Sequence, residues 1–219
     1  MRKFIILVYL KIMAMILNIR EIYRLIHRVS NRLNMWLNRA KLSLFGIEYG
    51  YNCVVHGRLY IKLRSSAKVQ IGNNFYFSSG RNINALCANK RGSIYATNGA
   101  SIKIGNNVGM SSTVIWCHKS VEIGNNVKIG GNCILMDTDA HNINYIYRRN
   151  PSTDSPKEIP IIIEDDVLLG MNTIVLKGVT IGARSIIGAG SVVTKSIPPD
   201  SIACGNPARV IKTLDYSKL

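Results

Sequence analysis

One apolar position recurs every six residues across residues 163–193, held by Ile163, Leu169, Val175, Ile181, Ile187 and Val193. Val167, Thr173, Val179, Ser185 and Ser191, all small or β-branched, stand two residues before the last five of these. Gly170, Gly182 and Gly188 follow three of them. A period of six fits neither an α-helix nor one long strand, and sustained self-similarity decides architecture before local propensity does. It predicts a coil of three short flat strands joined by tight corners, each strand pointing one large side chain inward. Glycine is expected to supply unusual φ values at those corners without steric cost. Coils of this kind stack at about 4.8 Å, each pairing its backbone with the next. An ordinary β-sandwich would instead show turn signals every ~8–12 residues. The expected fold class is therefore all-β, a parallel β-helix of hexapeptide repeats.

The same repeat announces itself earlier through Ile71-Gly72-Asn73-Asn74-Phe75. The phrase returns as Ile104-Gly105-Asn106-Asn107-Val108, Ile123-Gly124-Asn125-Asn126-Val127 and, altered, Ile163-Glu164-Asp165-Asp166-Val167. Asn and Asp suit such corners because they tolerate left-handed backbone and bond locally. The inward series is read as Ile71, Phe77 and Ile83, then Ile104, Met110 and Trp116, then Ile123, Ile129 and Leu135. Successive phrases lie 33, 19, 40 and 18 residues apart up to Ile181, so insertions interrupt the coils. The longest, 142–160, is polar and Pro-containing and is expected to leave the scaffold as a loop. Long loops thrown out of a repeat scaffold tend to be functional. The expected organisation is an N-terminal segment over 1–45, a β-helix over 46–212 and a tail over 213–219.

The net charge is +16, and half of it sits in the first 45 residues, nine Lys/Arg against Glu21 alone. Broad positive charge attracts anions, yet no helix-turn-helix, zinc-finger or aromatic RNA-binding signature is present, which argues against nucleic acid. Residues 4–10 and 12–17 are two apolar runs split by Lys11, and no small-residue cleavage site follows. Beyond them Ile19, Ile22, Tyr23, Leu25, Ile26, Val29, Leu33, Trp36 and Leu37 recur at helical spacing, while Arg20, Arg24, Arg28 and Arg32 share another face. That is an amphipathic basic helix, suited to an anionic membrane surface or to a cap on the β-helix. The two roles are compatible. Five cysteines without paired spacing indicate neither a disulfide framework nor a zinc site, and a reduced cytosolic setting follows.

Among four histidines, His141 in Asp137-Thr138-Asp139-Ala140-His141 sits where the coil gives way to the long loop. There it would be open to substrate yet held by a rigid scaffold, as a general base must be. Its orienting carboxylate would be Asp137 or Asp139. His118, in a one-residue expansion of the repeat, either bonds acceptor hydroxyls or caps a corner. His56 has no partner suggested by the sequence.

The repeat, carried through Thr194-Lys195-Ser196-Ile197-Pro198-Pro199 to Gly205-Asn206-Pro207-Ala208-Arg209-Val210-Ile211, resembles the hexapeptide-repeat acyltransferases. The likeness covers residues 68–212 and is greatest to galactoside and maltose acetyltransferases and bacterial polysaccharide O-acetyltransferases. It implies a left-handed β-helix and a homotrimer with sites shared between subunits. It implies acetyl-CoA as donor substrate, no metal, and His141 as catalytic base. It also implies that Gly170, Met171 and Ala189 meet the pantetheine arm, and that Thr194, Lys195 and Arg209 lie near the nucleotide end. His118 and Met110 are assigned to the acceptor side, although related enzymes carry an acidic residue at the His118 position. A second departure is Leu168, where this branch usually has Trp. The expected activity is O-acetylation of a sugar hydroxyl of a bacterial surface polysaccharide or its lipid-linked precursor, at the cytoplasmic face of the cell membrane. An amino-sugar N-acetyltransferase, a serine O-acetyltransferase, a zinc carbonic anhydrase and a non-enzymatic scaffold are the competing readings. The basic apolar N-terminus favours the glycan.

Overall fold

The computed structural model describes residues 2–80, 83–87 and 90–216, with side chains from Met13 onward except residue 14. Lys11, which splits the two apolar runs, has its side chain outside the described residues. Three faces, of six, eight and six strands, wind around one apolar core. A single coil is represented by Ile161–Ile163 on the first face, Leu168–Leu169 on the second and Ile174–Leu176 on the third. Each pairs in parallel with the equivalent strand of the next coil: Ile163 with Ile181, Leu169 with Ile187, Val175 with Val193. The winding is a left-handed parallel β-helix. All six residues of the founding series are buried, as are the five small or β-branched residues ahead of them. Thr173 and Ser191 hydroxyls donate to the carbonyls of Gly170 and Gly188 at 2.8 and 2.6 Å, which satisfies polar groups at the buried corners.

The glycines work differently from expectation. Gly170, Gly182 and Gly188 are not at positive φ; a Cβ there would fall 2.5, 2.3 and 2.8 Å from the backbone or Cβ of the coil above. They are required by close approach. The left-handed positions are taken by the fourth residue of each phrase, Asn74, Asn107, Asn126 and Asp166, at φ of 55–61°. The asparagines among them form a ladder: the Asn52, Asn74 and Asn107 amides each donate to the next at 3.1, 2.9 and 3.0 Å. The corner chemistry is thus shared between coils.

Two expected inward residues are displaced. Ile83 lies in an insertion that interrupts its coil, and Ile94 fills the core position instead. Trp116 is 38% exposed, and its neighbour Ile115 is fully buried. The corner before it is one residue short, as the register shift between Ile129 and Gly131 records. The extra residues then fall at His118 and Lys119.

The long loop leaves at Asp137, earlier than 142, and rejoins at Ile161. A two-stranded base pins it: Thr138 bridges Glu158, the Asp139 amide donates to Lys157 O and the Ile159 amide to Asp137 O. One helical turn, α2 (Tyr145–Arg148), lies within it.

Helix α1 (Arg2–Leu44) precedes the coils. Its last turns close the first coil. Asn38, 1% exposed, donates to Val55 O and Gly57 O at 3.1 and 2.7 Å and accepts from Leu59 N, while Leu42 is fully buried. Open strand edges need such cover. Earlier in the helix, Ile19, Ile22, Leu25, Ile26, Val29, Leu33 and Trp36 are all more than half exposed. Among the described residues, no helix is long and apolar enough to cross a membrane. At the other end, Ser201–Gly205 pairs in parallel with Ile186–Ile187, but Ala208–Thr213 returns antiparallel to it.

Candidate active site

The site assembles at the corner between third and first faces, where the loop departs. His141 stands on the loop with its side chain 67% exposed. Its Nδ1 lies 2.6 Å from Asp154 Oδ2, and Asp154 Oδ1 accepts from the Asn142 amide at 2.6 Å. These two hydrogen bonds, that from the Asn142 amide foremost, hold the Asp154 carboxyl below its usual range. An ionised carboxylate only accepts, so Nδ1 carries the proton and Nε2 presents a lone pair outward. A ring fixed through one nitrogen and open at the other is the arrangement a general base needs.

The orienting carboxylate is therefore Asp154, in place of Asp137 or Asp139. Asp137 is fully buried and accepts from the amides of His118 and Lys119, both at 2.7 Å, fastening the expanded corner. Burial, with the Asp137 charge close by, pushes the Cys117 thiol far up and leaves it inert. Asp139 pairs with Lys177 on the coil above. Nothing in the sequence aligned Asp154 with His141, because only the fold of the loop brings residues 13 apart together. Two carboxylates inside a polar extruded loop were the available signal.

His118 is saturated. The Trp116 indole N–H donates to its Nε2 at 2.9 Å, and its Nδ1 stands 3.0 Å from Glu158 Oε1. Indole nitrogen only donates, so the ring proton is on Nδ1 and goes to Glu158. Trp116 in turn stacks on Tyr95 with centroids 4.3 Å apart, and Lys62 lies over Tyr95. The sequence reading missed this outward aromatic platform because it placed Trp116 inside. Met110 is the reverse case: it is 2% exposed, inside the coil against the core, and cannot touch an acceptor.

Gly170, Met171 and Ala189 share the corner between second and third faces, where Gly190 N donates to Met171 O at 2.8 Å. Gly188 lies under Cys204, which pairs with Arg209, so Arg209 continues this column. Thr194 and Lys195 are exposed at the other edge of the third face, the edge that carries the loop. The structure thus separates these expected donor contacts into two rows across one face. Outward on that face Trp116, Met136 and Leu176 are in register, an apolar strip between the rows. Among the described residues no group of three or more His, Cys, Asp or Glu could hold a metal ion. His56 packs by Tyr76 with its Nδ1 buried and unpartnered.

Residues 160–195 match the profile described as the hexapeptide repeat of succinyl-transferase. The galactoside O-acetyltransferase of Escherichia coli is 39% identical over 124 residues, 56% of this chain and 59% of that protein. The chain spans between 44% and 59% of the length of the curated relatives it first matches. Among solved structures, a hexapeptide-repeat acetyltransferase from Vibrio cholerae complexed with acetyl coenzyme A is 27% identical, with a TM-score of 0.52 over 80% of this chain and 74% of that one. A polySia-specific acetyltransferase is 29% identical, with a TM-score of 0.50 over 76% and 70%. Repeat and coil define the class: a left-handed β-helix of hexapeptide repeats. Within that class, the resemblance to the hexapeptide-repeat acyltransferases is borne out by these relatives.

Proposed function

We propose that the chain is an acetyl-CoA-dependent O-acetyltransferase acting on a sugar hydroxyl of a bacterial surface polysaccharide or its lipid-linked precursor. The observation that carries the reading is His141, locked at Nδ1 by Asp154 and open at Nε2. His141 Nε2 takes the hydroxyl proton as the sugar oxygen attacks the thioester carbonyl. The carbon–sulfur bond breaks, and the departing thiolate receives the proton from the imidazolium. No acyl-enzyme forms. The relatives support the chemistry: one is named a galactoside O-acetyltransferase, one is polySia-specific, and one holds acetyl coenzyme A. Gly170, Met171, Ala189 and Arg209 form one row along the donor, and Thr194 and Lys195 the other. The platform of Tyr95 and Trp116 offers flat rings to a sugar beside His118. The site is open on one side, and a homotrimer would close it with a neighbouring subunit.

His141→Ala should lower turnover by ~10²–10⁴ while the protein folds and binds coenzyme A as before, measured by thiol release from acetyl-CoA with glycan acceptors. Full activity in that variant ends the proposal.

The exposed apolar side of α1, flanked by Arg20, Arg28 and Arg32, would hold the enzyme at the cytoplasmic face of the membrane. Flotation with anionic vesicles is expected to be salt-sensitive and to weaken on replacing Ile22 and Leu25 by Ser. Indifference to both salt and substitution would assign α1 to capping alone.

A further inference from the structure

Ahead of its last turn, the side of α1 that faces the coils is mainly polar. His27, Asn31, Asn34 and Asn38 follow one another at helical spacing and are covered, with Met35 beside them and Leu42 entering the core after them, while Ile22, Leu25, Ile26, Val29, Leu33 and Trp36 point away. Only at Asn38 does this stripe meet the barrel directly. Above it a cavity of about 380 Å³ opens between Asn31 and Asn34 on the helix and Arg58, Gly80 and Arg91 on the coils. A second cavity of about 400 Å³ shares Asn34, Arg58 and Arg91 with the first and adds Lys41, so the two form one slot.

The chemistry of this slot is one-sided. No carboxylate lines either cavity among the described residues. Among the described residues the guanidinium groups of Arg58 and Arg91 have no hydrogen bond or ion pair, so both remain available to a ligand in the slot. Asn31 Oδ1 is buried without a partner, which a folded protein tolerates only where a ligand or solvent completes it. Two unpaired guanidiniums, a lysine and amide groups make a fork-shaped donor set matched to phosphate oxygens. Asn31 Oδ1 would accept from a protonated phosphate oxygen, a P–OH. Ile26, Leu33 and Leu37 line the outer rims of the same cavities, so the organic part of the ligand is apolar.

We infer that the slot between α1 and the first coils binds the phosphoryl group of a lipid phosphate through Arg58 and Arg91. The phosphate chemistry stands on the slot alone, and the lipid source rests also on the proposed action at a membrane glycan. This is distinct from surface attraction spread along α1, because it requires two particular side chains on the β-helix.

The test uses the full chain, neutral phosphatidylcholine vesicles with and without polyprenyl phosphate, and calorimetry with inorganic pyrophosphate. Binding to the doped vesicles should be saturable and competed by pyrophosphate. Arg58→Gln and Arg91→Gln should each weaken it about tenfold, the loss of one charge-assisted contact. Lys212→Gln, which removes equal charge from an exposed strand, should leave it unchanged, and all three variants should keep the wild-type melting curve. Equal loss in Lys212→Gln, or undiminished binding in the Arg58/Arg91 double variant, overturns the site. Pyrophosphate binding without vesicle binding confirms the phosphate chemistry and removes lipid as its source. Acetyl transfer to a soluble sugar should survive in Arg58→Gln, so failure of the slot and failure of the transferase reading are separable.

Discussion

The β-helix and α1 are both rich in Ile, Leu and Val, yet they dispose of them in opposite ways. In the regular coils the side chain at the six-residue position points inward and is shut from water; Leu169, Val175 and Ile181 are all fully buried. In α1 most such residues before Leu42 face out, and the stripe turned toward the protein there is chiefly His27, Asn31, Asn34 and Asn38. Apolar content alone therefore does not say where a core is. Only period combined with what lies opposite does, and a helix with its polar side inward must find its apolar contacts beyond its own chain.

Substitutions can break this contrast, and the largest effect belongs to the coils. Leu135→Ala, at a fully buried site in the middle of the stack, should cost about 2–5 kcal/mol in denaturant unfolding. A loss under half that size would mean that the coils collapse around cavities. At the junction, Asn38→Leu leaves the carbonyls of Val55 and Gly57 without their donor and should cost about 1–3 kcal/mol, with proteolysis beginning in α1. Asp154→Asn keeps the shape of the loop but removes the charge that orients His141, and turnover should fall about tenfold or more. The wild-type contact has a defined acid limit. With the Asp154 pKa lowered by the Asn142 amide and His141, its contribution is complete above the ordinary Asp value of about 3.9. It disappears only as pH falls through the lowered folded value, which amide exchange within the loop should register. Smallest of all, Leu25→Ser should change stability by no more than ~0.5 kcal/mol, since Leu25 is already 58% exposed. A large effect there would mean that α1 buries that side in an assembly.

The period of six made the core legible down to single residues wherever coils keep 18 residues, as from Ile163 to Val193. It misled at Trp116, because one corner is short and the next is long, and a counting rule has no means of dividing that change. It misled at Met110 for another reason: the same position was read as both inward and acceptor-facing, and a strand side chain can point only one way. His141 could be found because a histidine at the root of an extruded loop is conspicuous. Asp154 and Glu158 could not, because partners inside a loop are chosen by its fold rather than by spacing. The polar stripe of α1 was present in the sequence at intervals of four, three and four, but attention to the apolar and arginine faces hid it.

The reversed last strand, Ala208–Thr213, has a consequence for the molecule's solution behaviour. A stack of parallel coils has no intrinsic length, and each exposed rim is a template on which another chain can continue the ladder. Here one rim is covered by the Asn38 turn of α1. At the other, the chain doubles back, so the outermost strand runs the wrong way for a further coil and carries Arg209 and Lys212. On that eight-stranded face, growth into fibrils is thereby opposed at both poles by different means, one a plug and the other a change of direction.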